Sequence, residues 1–387
     1  MTIIIVIKAI IWILFIIGLV VFIHELGHFM SAKLLGIKVQ EFAFGFGKKI
    51  IGKKFMGTLY RINYIPLGGY VRILGQEEES DKPQSFSTKS LSTKLTILLA
   101  GVFMNFLLAV VTFYIVLGFR DFSIHLPVLT DYEFMGTNEE VQYKPFVRKV
   151  FDDTPASDVD FPKDVIIWSV DEVEVKTVED FINYLQEHEG EEITIKVLTL
   201  EGKYVEKNVV PKKTGREGVL LGIEFYESVA AFYKLDYSKN KALSGVLHSI
   251  NFTGYSLDVF GDLIEISYRE KSVKPVSEGV SGLIGVASTV FDLVRVGDVL
   301  ELLNLLAGIN LSLAVINLLP IPGLDGGYVL FFIIEKIRGR KLSEKYMEWA
   351  VRFGFAFMIL LLILISIKDI IQFNVLSRLL NVLKNII

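Results

Sequence analysis

Four stretches of this sequence are apolar over about the length that a helix needs to cross a bilayer. They comprise residues 3–23, 95–119, 299–319 and 351–371. The chain of 387 residues is 52% hydrophobic and has a mean hydropathy of +0.49, which excludes an ordinary soluble protein. We therefore predict a polytopic α-helical membrane protein with about four transmembrane helices, embedded in the lipid bilayer and without a nucleic-acid partner.

The first stretch runs into the motif His-Glu-Leu-Gly-His, from His24 to His28. Residues four apart share one face of a helix, so both histidines can turn a ring nitrogen toward one Zn²⁺. Glu25 lies beside that face and could take a proton from a water molecule whose pKa the metal lowers. Ionisable side chains are costly inside a membrane unless they are paired, metal-bound or hydrated. The motif therefore predicts a catalytic zinc site. The alternative is a chance match, with histidines satisfied by neighbouring helices.

A third zinc ligand must come from elsewhere in the chain, because catalytic zinc usually has three protein ligands. The sequence has no cysteine, which leaves carboxylates and histidines. Asp325 is the best candidate, since it follows Pro320 and Pro322, which would end the third apolar stretch and let the chain turn back. In the alternative interpretation, Asp325 only caps a helix that starts at Gly326.

Residues 58–74 alternate apolar and polar side chains on both sides of Pro66-Leu67-Gly68-Gly69. This pattern predicts a β-hairpin, with its turn at Gly68 and Gly69, inside the basic loop 36–94. An apolar hairpin beside the zinc helix could dip toward the metal and hold an extended substrate by strand addition. The alternative is a plain cytoplasmic hairpin packed against lipid headgroups.

Residues 143–213 have the sequence pattern of a soluble domain. A helical pattern at residues 177–189 lies among strand patterns at 146–150, 164–170, 192–199 and 204–210, which predicts a small α+β module or a partly open β-barrel. Residues 239–267 predict a long amphipathic helix. The predicted domain order is a first span at 1–35, the loop 36–94, a second span at 95–119, the module 143–213, an amphipathic helix and re-entry segment at 238–281, and two further spans at 299–327 and 351–371.

The distribution of charge predicts the topology. Residues 33–94 carry 11 Lys and Arg against 5 acidic residues, whereas residues 120–278 carry 18 against 30. The positive-inside rule therefore places the first loop, and the basic third loop at residues 336–345, in the cytoplasm. Both chain termini and the acidic middle then lie outside the cytoplasm. His28 and Asp325 both lie toward the cytoplasmic face.

Taken together, these motifs resemble those of the site-2 protease family of intramembrane zinc metalloproteases. The similarity is to its bacterial branch with one extracytoplasmic PDZ domain, the regulator of sigma-E protease type. It extends over the whole chain, through His24–His28 and residues 60–74, 100–109, 281–285 and 317–327. Some positions depart from the family pattern. Val102 and Leu283 stand where proline is usual, and in the PDZ region residues 159–161 and 163–164 replace the expected Ala-Gly-Leu and Gly-Asp.

The resemblance implies roles for particular residues. His24, His28 and Asp325 would bind one Zn²⁺ per chain, Glu25 would be the catalytic carboxylate, and Asn317 would lie near the substrate backbone. The hairpin would be a membrane-associated element beside the active site, and residues 143–213 would form a PDZ domain. The expected substrate-binding residues of the hairpin are Asn63, Tyr64, Ile65, Gly68, Gly69, Tyr70 and Val71.

The function that the resemblance implies is cleavage of transmembrane segments of single-span membrane proteins in the cytoplasmic membrane of a bacterium. The family's expected substrates are anti-sigma factors or remnant signal peptides. The PDZ-like module, outside the membrane, would act as a size filter or docking site. Two other classes stay open at this point: a membrane scaffold that has lost catalysis, and a membrane-bound zinc peptidase acting on soluble peptides.

Overall fold

A computed structural model of the protein describes residues 2–76, 80–199, 204–212, 220–226 and 230–372. The described residues belong to two compact units. The first, which we call the helical unit, takes its residues from Met1–Val116, Gly245–Val294 and Asp298–Ile387. The second, the β unit, takes them from Leu117–Ser244 and Arg295–Gly297.

The secondary structure alternates between long helices and groups of strands. In chain order the elements are α1 (Thr2–Leu34), β1 (Val39–Phe55), β2 (Thr58–Ile73), α2 (Leu91–Phe119), β3 (Ser123–Pro127), β4 (Asn138–Lys144), β5 (Phe146–Val150), α3 (Pro155–Asp158), β6 (Val165–Val170), β7 (Val173–Glu174), α4 (Val178–Glu187), β8 (Ile193–Thr199), β9 (Tyr204–Val209), β10 (Ile223–Phe225), β11 (Ala230–Asp236), α5 (Ser244–Arg269), α6 (Lys274–Gly279), α7 (Leu283–Val296), α8 (Val299–Leu318), α9 (Asp325–Arg338) and α10 (Glu344–Gln372).

Within the described part of the chain, four helices are long and apolar enough to cross a membrane. These segments are Ile3–Leu34, Leu91–Phe119, Val299–Leu318 and Lys345–Gln372. They confirm the prediction of a polytopic membrane protein. The second and fourth helices begin before the predicted residues 95 and 351, because a helix continues into polar residues for as long as its backbone hydrogen bonds are made.

The third span ends where the prolines predict. α8 stops at Leu318 and α9 begins at Asp325, with Pro320 and Pro322 between them. Proline lacks a backbone N–H and clashes with the preceding turn, so the helix cannot continue through this segment. A Cβ at Gly326 would overlap the carbonyl oxygen of Leu318. Glycine therefore lets the start of α9 pack directly against the end of α8, and the predicted segment 299–327 is divided between two helices.

The hairpin is longer than predicted, and its turn lies elsewhere. β1 and β2 are antiparallel and connect through Met56 and Gly57, where φ is +44° and +78°. The predicted turn at Gly68 and Gly69 is wrong, because both residues lie inside β2 and Gly69 pairs with Phe44. Glycine serves close pairing here instead of a turn, since a Cβ at Gly69 would lie 2.7 Å from a carbonyl oxygen of β1.

The first half of β1 has paired residues on both sides. Glu41 pairs with Arg72 and also with Leu59, and Phe44 pairs with Gly69 and also with Ile62. These residues of β1 therefore form a central strand. The last part of β2, residues 69–73, lies at an edge of this sheet, and no further strand of the described residues pairs with it.

The β unit contains strands and a helix at the predicted places. The predicted elements correspond to β5, β6, β8, β9 and α4, and the sheet order is β10-β5-β6-β8-β9 with β7 beside β6. Its apolar core includes Val147, Ile167 and Phe181. Lys213, the last residue of the predicted module, lies outside the described residues. The assignment of this module to the PDZ type stays a prediction.

A second sheet in the β unit was not predicted. Its order is β3-β11-β4, and Phe232 of β11 contacts Trp168 of β6. Lys144 of β4 is fully buried, and its ammonium group donates to the Glu174 carboxylate at 2.7 Å and to the Val175 carbonyl at 2.8 Å. The sheet escapes sequence analysis because β11 lies far along the chain from both strands that it joins.

The long helix predicted within residues 238–281 is α5. It begins later than predicted, because Ser238–Leu243 form a 3-10 helix in front of it. α6 and α7 follow it in the chain. The return of this segment toward the membrane stays a prediction.

Candidate metal centre

Three side chains of the helical unit meet at one point. The Nε2 atoms of His24 and His28 are 3.1 Å apart, and they lie 3.2 Å and 3.3 Å from Oδ2 of Asp325. Both histidines are buried. Among the described residues, this is the one group of three or more His, Cys, Asp or Glu side chains that could hold a metal ion. The structure thus brings together the three residues that the sequence nominated as ligands.

The donor set fits Zn²⁺. Lone pairs on two imidazole nitrogens and a carboxylate oxygen repel one another at these distances, and a cation between them replaces repulsion by attraction. Zinc bonds of about 2.0–2.1 Å in a tetrahedral site separate the ligand atoms by about 3.3–3.4 Å, close to the separations found here. Two histidines and one carboxylate are also a ligand set of catalytic zinc, which keeps its fourth position for water or substrate.

The two histidines share a face of α1, and α2 packs against that face at very short range. A Cβ at Gly27 would overlap the carbonyl oxygen of Ala100. A Cβ at Gly101 would lie 2.5 Å from Nε2 of His28 and 2.8 Å from Cε1 of His24. Small residues let membrane helices approach closely, and here they bring α2 against the metal ligands themselves.

α2 also supplies partners for the remaining ring nitrogens. Nδ1 of His28 donates to the carbonyl oxygen of Ile97 at 2.8 Å. Because a carbonyl can only accept, Nδ1 carries the proton, and in the neutral ring Nε2 of His28 keeps its lone pair toward Asp325. On His24, Nδ1 lies 3.4 Å from Nδ2 of Asn105. Sequence analysis missed these contacts. The motif at residues 100–109 indicates that this helix matters, but it does not show that a backbone carbonyl and a side-chain amide contact the histidines.

Glu25 lies near the metal cluster, and its carboxylate is also close to the backbone N–H of Val71 in the sheet. Backbone N–H groups alternate sides along a strand, so those of Gly69 and Ile73 face the same side as that of Val71. The edge of β2 at residues 69–73 therefore runs past the carboxylate that the sequence nominated as catalytic.

The other hairpin residues nominated for substrate binding have different surroundings. Asn63 is buried, its amide nitrogen donates to a β1 carbonyl at 2.8 Å, and its oxygen accepts from Nε of Arg61 at 2.8 Å. The side chain of Asn63 thus supports the sheet. Tyr64 and Ile65 are exposed. A direct contact of these three residues with substrate stays a prediction.

Tyr70 is held by a buried carboxylate. Its hydroxyl donates to Oε1 of Glu41 at 2.7 Å, and Arg61 donates to the same oxygen at 2.7 Å. Burial raises the pKa of the Glu41 carboxyl, but these two hydrogen bonds outweigh it and hold that pKa below its ordinary value. The Tyr70 ring also stacks on Phe46. The side chain is therefore fully engaged within the hairpin, and a contact of Tyr70 with substrate stays a prediction.

Asn317 lies in the last turn of α8 and is buried. It precedes the break that leads to Asp325. Its proposed contact with the substrate backbone stays a prediction.

Comparison with known proteins supports the zinc assignment. The family model described as peptidase family M50 matches residues 12–361. The chain is 31% identical to a relative named as a zinc metalloprotease in Clostridium acetobutylicum, over 92% of this chain and 95% of the relative. It is 30% identical to one in Fusobacterium nucleatum, over 91% and 96%, and 28% identical to one in Campylobacter jejuni, over 92% and 91%.

Two substitutions should remove zinc for different reasons. We expect the wild-type protein to purify with about one Zn²⁺ per chain. Asp325→Ala removes a ligand, and Gly101→Val drives a side chain into both histidines, so elemental analysis should find both variants largely without zinc. Gly261→Val is the matched control, since a Cβ at Gly261 meets open space, and it should keep its zinc. Full zinc content in Asp325→Ala would eliminate that residue as a ligand.

Proposed function

This chain belongs to peptidase family M50, the site-2 protease family, and is a zinc metalloprotease; we propose that it hydrolyses peptide bonds within transmembrane segments of single-span membrane proteins. The observation that carries this proposal is the position of the metal cluster. His24 and His28 lie in a helix that is apolar enough to cross a membrane, and Asp325 follows another such helix. Ionisable residues in such segments mark sites that act within the membrane.

The chemistry divides among the residues of the cluster. Bound Zn²⁺ would act as a Lewis acid that polarises the scissile carbonyl and eases deprotonation of water. His24, His28 and Asp325 hold the ion. Glu25 takes a proton from the attacking water and delivers it to the nitrogen of the leaving amine as the C–N bond breaks. The nearby N–H of Val71 would help to orient the Glu25 carboxylate for both transfers.

The edge of β2 suits a substrate that has to unwind. The carbonyls of a helical substrate are hydrogen-bonded within the helix, and unpaired backbone groups are costly inside a membrane. The edge at residues 69–73 offers backbone groups that replace those bonds by strand addition. In this proposal the unwound segment lies along the edge, with its scissile carbonyl next to Glu25.

We assign to the module at residues 143–213 the role of a PDZ-like size filter outside the cytoplasm. It would exclude single-span proteins whose extracytoplasmic domain is still intact, so that the enzyme acts after another protease has trimmed them. The support is the family resemblance together with the separate apolar core of the β unit. The active site would lie toward the cytoplasmic side of a bacterial inner membrane, on the evidence of the basic loops.

Glu25→Gln tests the proposed reaction directly. In reconstituted membranes, wild-type protein should cut a single-span substrate inside its apolar segment, and mass spectrometry of the fragments locates the bond. The variant should lose about 10²–10⁴-fold in rate, the usual effect of removing a general base, and keep its zinc. Glu348→Gln, an exposed carboxylate of α10, is the control and should cut normally. Cleavage confined to soluble peptides would instead favour a membrane-bound peptidase of soluble substrates.

An excision tests the size filter. Lys144 and Ala230 are paired residues of β4 and β11, so residues 145–229 can be replaced by Asn-Gly, which closes a two-residue hairpin turn between these strands. The excised enzyme should cut short substrates at the wild-type rate and should begin to cut precursors that carry an intact extracytoplasmic domain. If folded, zinc-loaded protein cut neither substrate, the module would be an obligatory docking site.

The absence of native cysteine makes topology measurable. Single cysteines at the exposed positions Lys82, Gly190 and Arg340 can be labelled with a membrane-impermeant maleimide in bacterial cells. Cysteine at Gly190 should react in intact cells, whereas the other two should react only after the inner membrane is permeabilised. The reverse pattern would place the active site toward the opposite face.

A further inference from the structure

α2 runs across both proposed histidine ligands and meets each at its second ring nitrogen. The carbonyl of Ile97 accepts from Nδ1 of His28 at 2.8 Å. Eight residues further along α2, the side chain of Asn105 lies against Nδ1 of His24, with Nδ2 at 3.4 Å. Gly101 lies midway between them, and its missing side chain is what lets the helix reach both rings.

A histidine that binds zinc through Nε2 carries its proton on Nδ1, so the partner of Nδ1 has to be a hydrogen-bond acceptor. Ile97 meets this requirement for His28. For His24, the nearby group is a carboxamide, which has both a donor and an acceptor. Only the acceptor is compatible with a lone pair on Nε2 of His24.

The acceptor atom of Asn105, Oδ1, makes no hydrogen bond in the described structure. Asn105 is fully buried, and its Oδ1 finds no hydrogen-bond partner among the described residues. A half-turn of the carboxamide exchanges Oδ1 and Nδ2 and places Oδ1 at Nδ1 of His24. The buried oxygen then gains a donor, and His24 is held in the tautomer that metal binding requires.

We propose that Asn105 is the positioning residue of His24, and that its Oδ1 accepts the Nδ1–H bond and so keeps the Nε2 lone pair directed at the zinc ion. This inference rests on the proposed role of His24 as a metal ligand. α2 thus supplies a matched pair of acceptors, a backbone carbonyl for His28 and a side-chain amide for His24. Partners of this kind set the tautomer, the orientation and the basicity of the ligands.

Three substitutions at Asn105 distinguish its role as a hydrogen-bond acceptor from a role as a donor and from a role in packing. Asn105→Leu keeps the approximate volume without an acceptor, Asn105→Ala leaves space, and Asn105→Asp keeps only acceptors. The measurements are zinc affinity of the purified full-length chain by competition with a chelator, and the visible spectrum of Co²⁺ bound in place of zinc. We expect Asn105→Leu and Asn105→Ala to lower zinc affinity about 10–100-fold and to alter the Co²⁺ spectrum. Asn105→Asp should show the wild-type Co²⁺ spectrum and a zinc affinity equal to or higher than that of the wild-type protein.

Thr112→Val is the control on the same helix. Thr112 is buried two turns along α2 and donates to its own helix at the Leu108 carbonyl, so its loss should leave zinc affinity unchanged. Wild-type affinity in both Asn105→Leu and Asn105→Ala would overturn the proposal. The proposal would also be overturned if Asn105→Asp lost as much zinc affinity as Asn105→Leu. The wild-type amide would then matter as a hydrogen-bond donor or through its packing.

His24→Ala separates this inference from the proposed metal site. If His24→Ala loses zinc while the Asn105 variants retain it, only the positioning role fails. If His24→Ala itself retains zinc with wild-type affinity, then His24 is not a ligand and both the site and the positioning role are overturned.

Discussion

The interaction on which the rest of this structure depends is the near-contact of α1 and α2 at Gly27 and Gly101. Two imidazoles and a carboxylate are expensive to bury in an apolar environment unless each polar atom has a partner. The close approach of the helices solves this problem for the histidines, because it puts a carbonyl and a carboxamide of α2 within reach of their Nδ1 atoms. Larger residues at either glycine would separate the helices and leave these atoms without partners.

The second requirement is that the third apolar helix ends level with the two histidines. A continuous third span would carry Asp325 past the cluster along the helix axis. Pro320 and Pro322 end α8, and the glycines that follow Asp325 let α9 start against the end of α8. Asp325 is thereby held at the first residue of a new helix, where its carboxylate oxygen lies between the two histidines.

The proposed role of the hairpin depends on its pairing within the sheet. The first half of β1 is paired on both sides, so it holds residues 69–73 of β2 in a fixed position at the edge of the sheet. The backbone N–H of Val71 lies close to Glu25, so this edge runs beside the carboxylate. A strand added to this edge would be aligned with Glu25, the proposed general base, by backbone geometry alone, independent of its side chains. Such an arrangement suits an enzyme whose substrates share an apolar, unwound backbone and little sequence.

The sequence by itself determined the membrane class, the four apolar helices, the His24–Glu25–His28 motif, the helix break before Asp325 and the strands of residues 146–209. These follow from local chemistry: apolar length, i and i+4 spacing, the missing N–H of proline and the alternation of side chains along a strand. The hairpin turn, the sheet of β3, β11 and β4, and the partners of the histidines followed only from the tertiary structure. Glycine reads as a turn in a sequence, but at Gly69 and Gly101 it serves close approach to another segment. What lies within 3 Å of such a glycine is decided by a part of the chain far away, which no local pattern records.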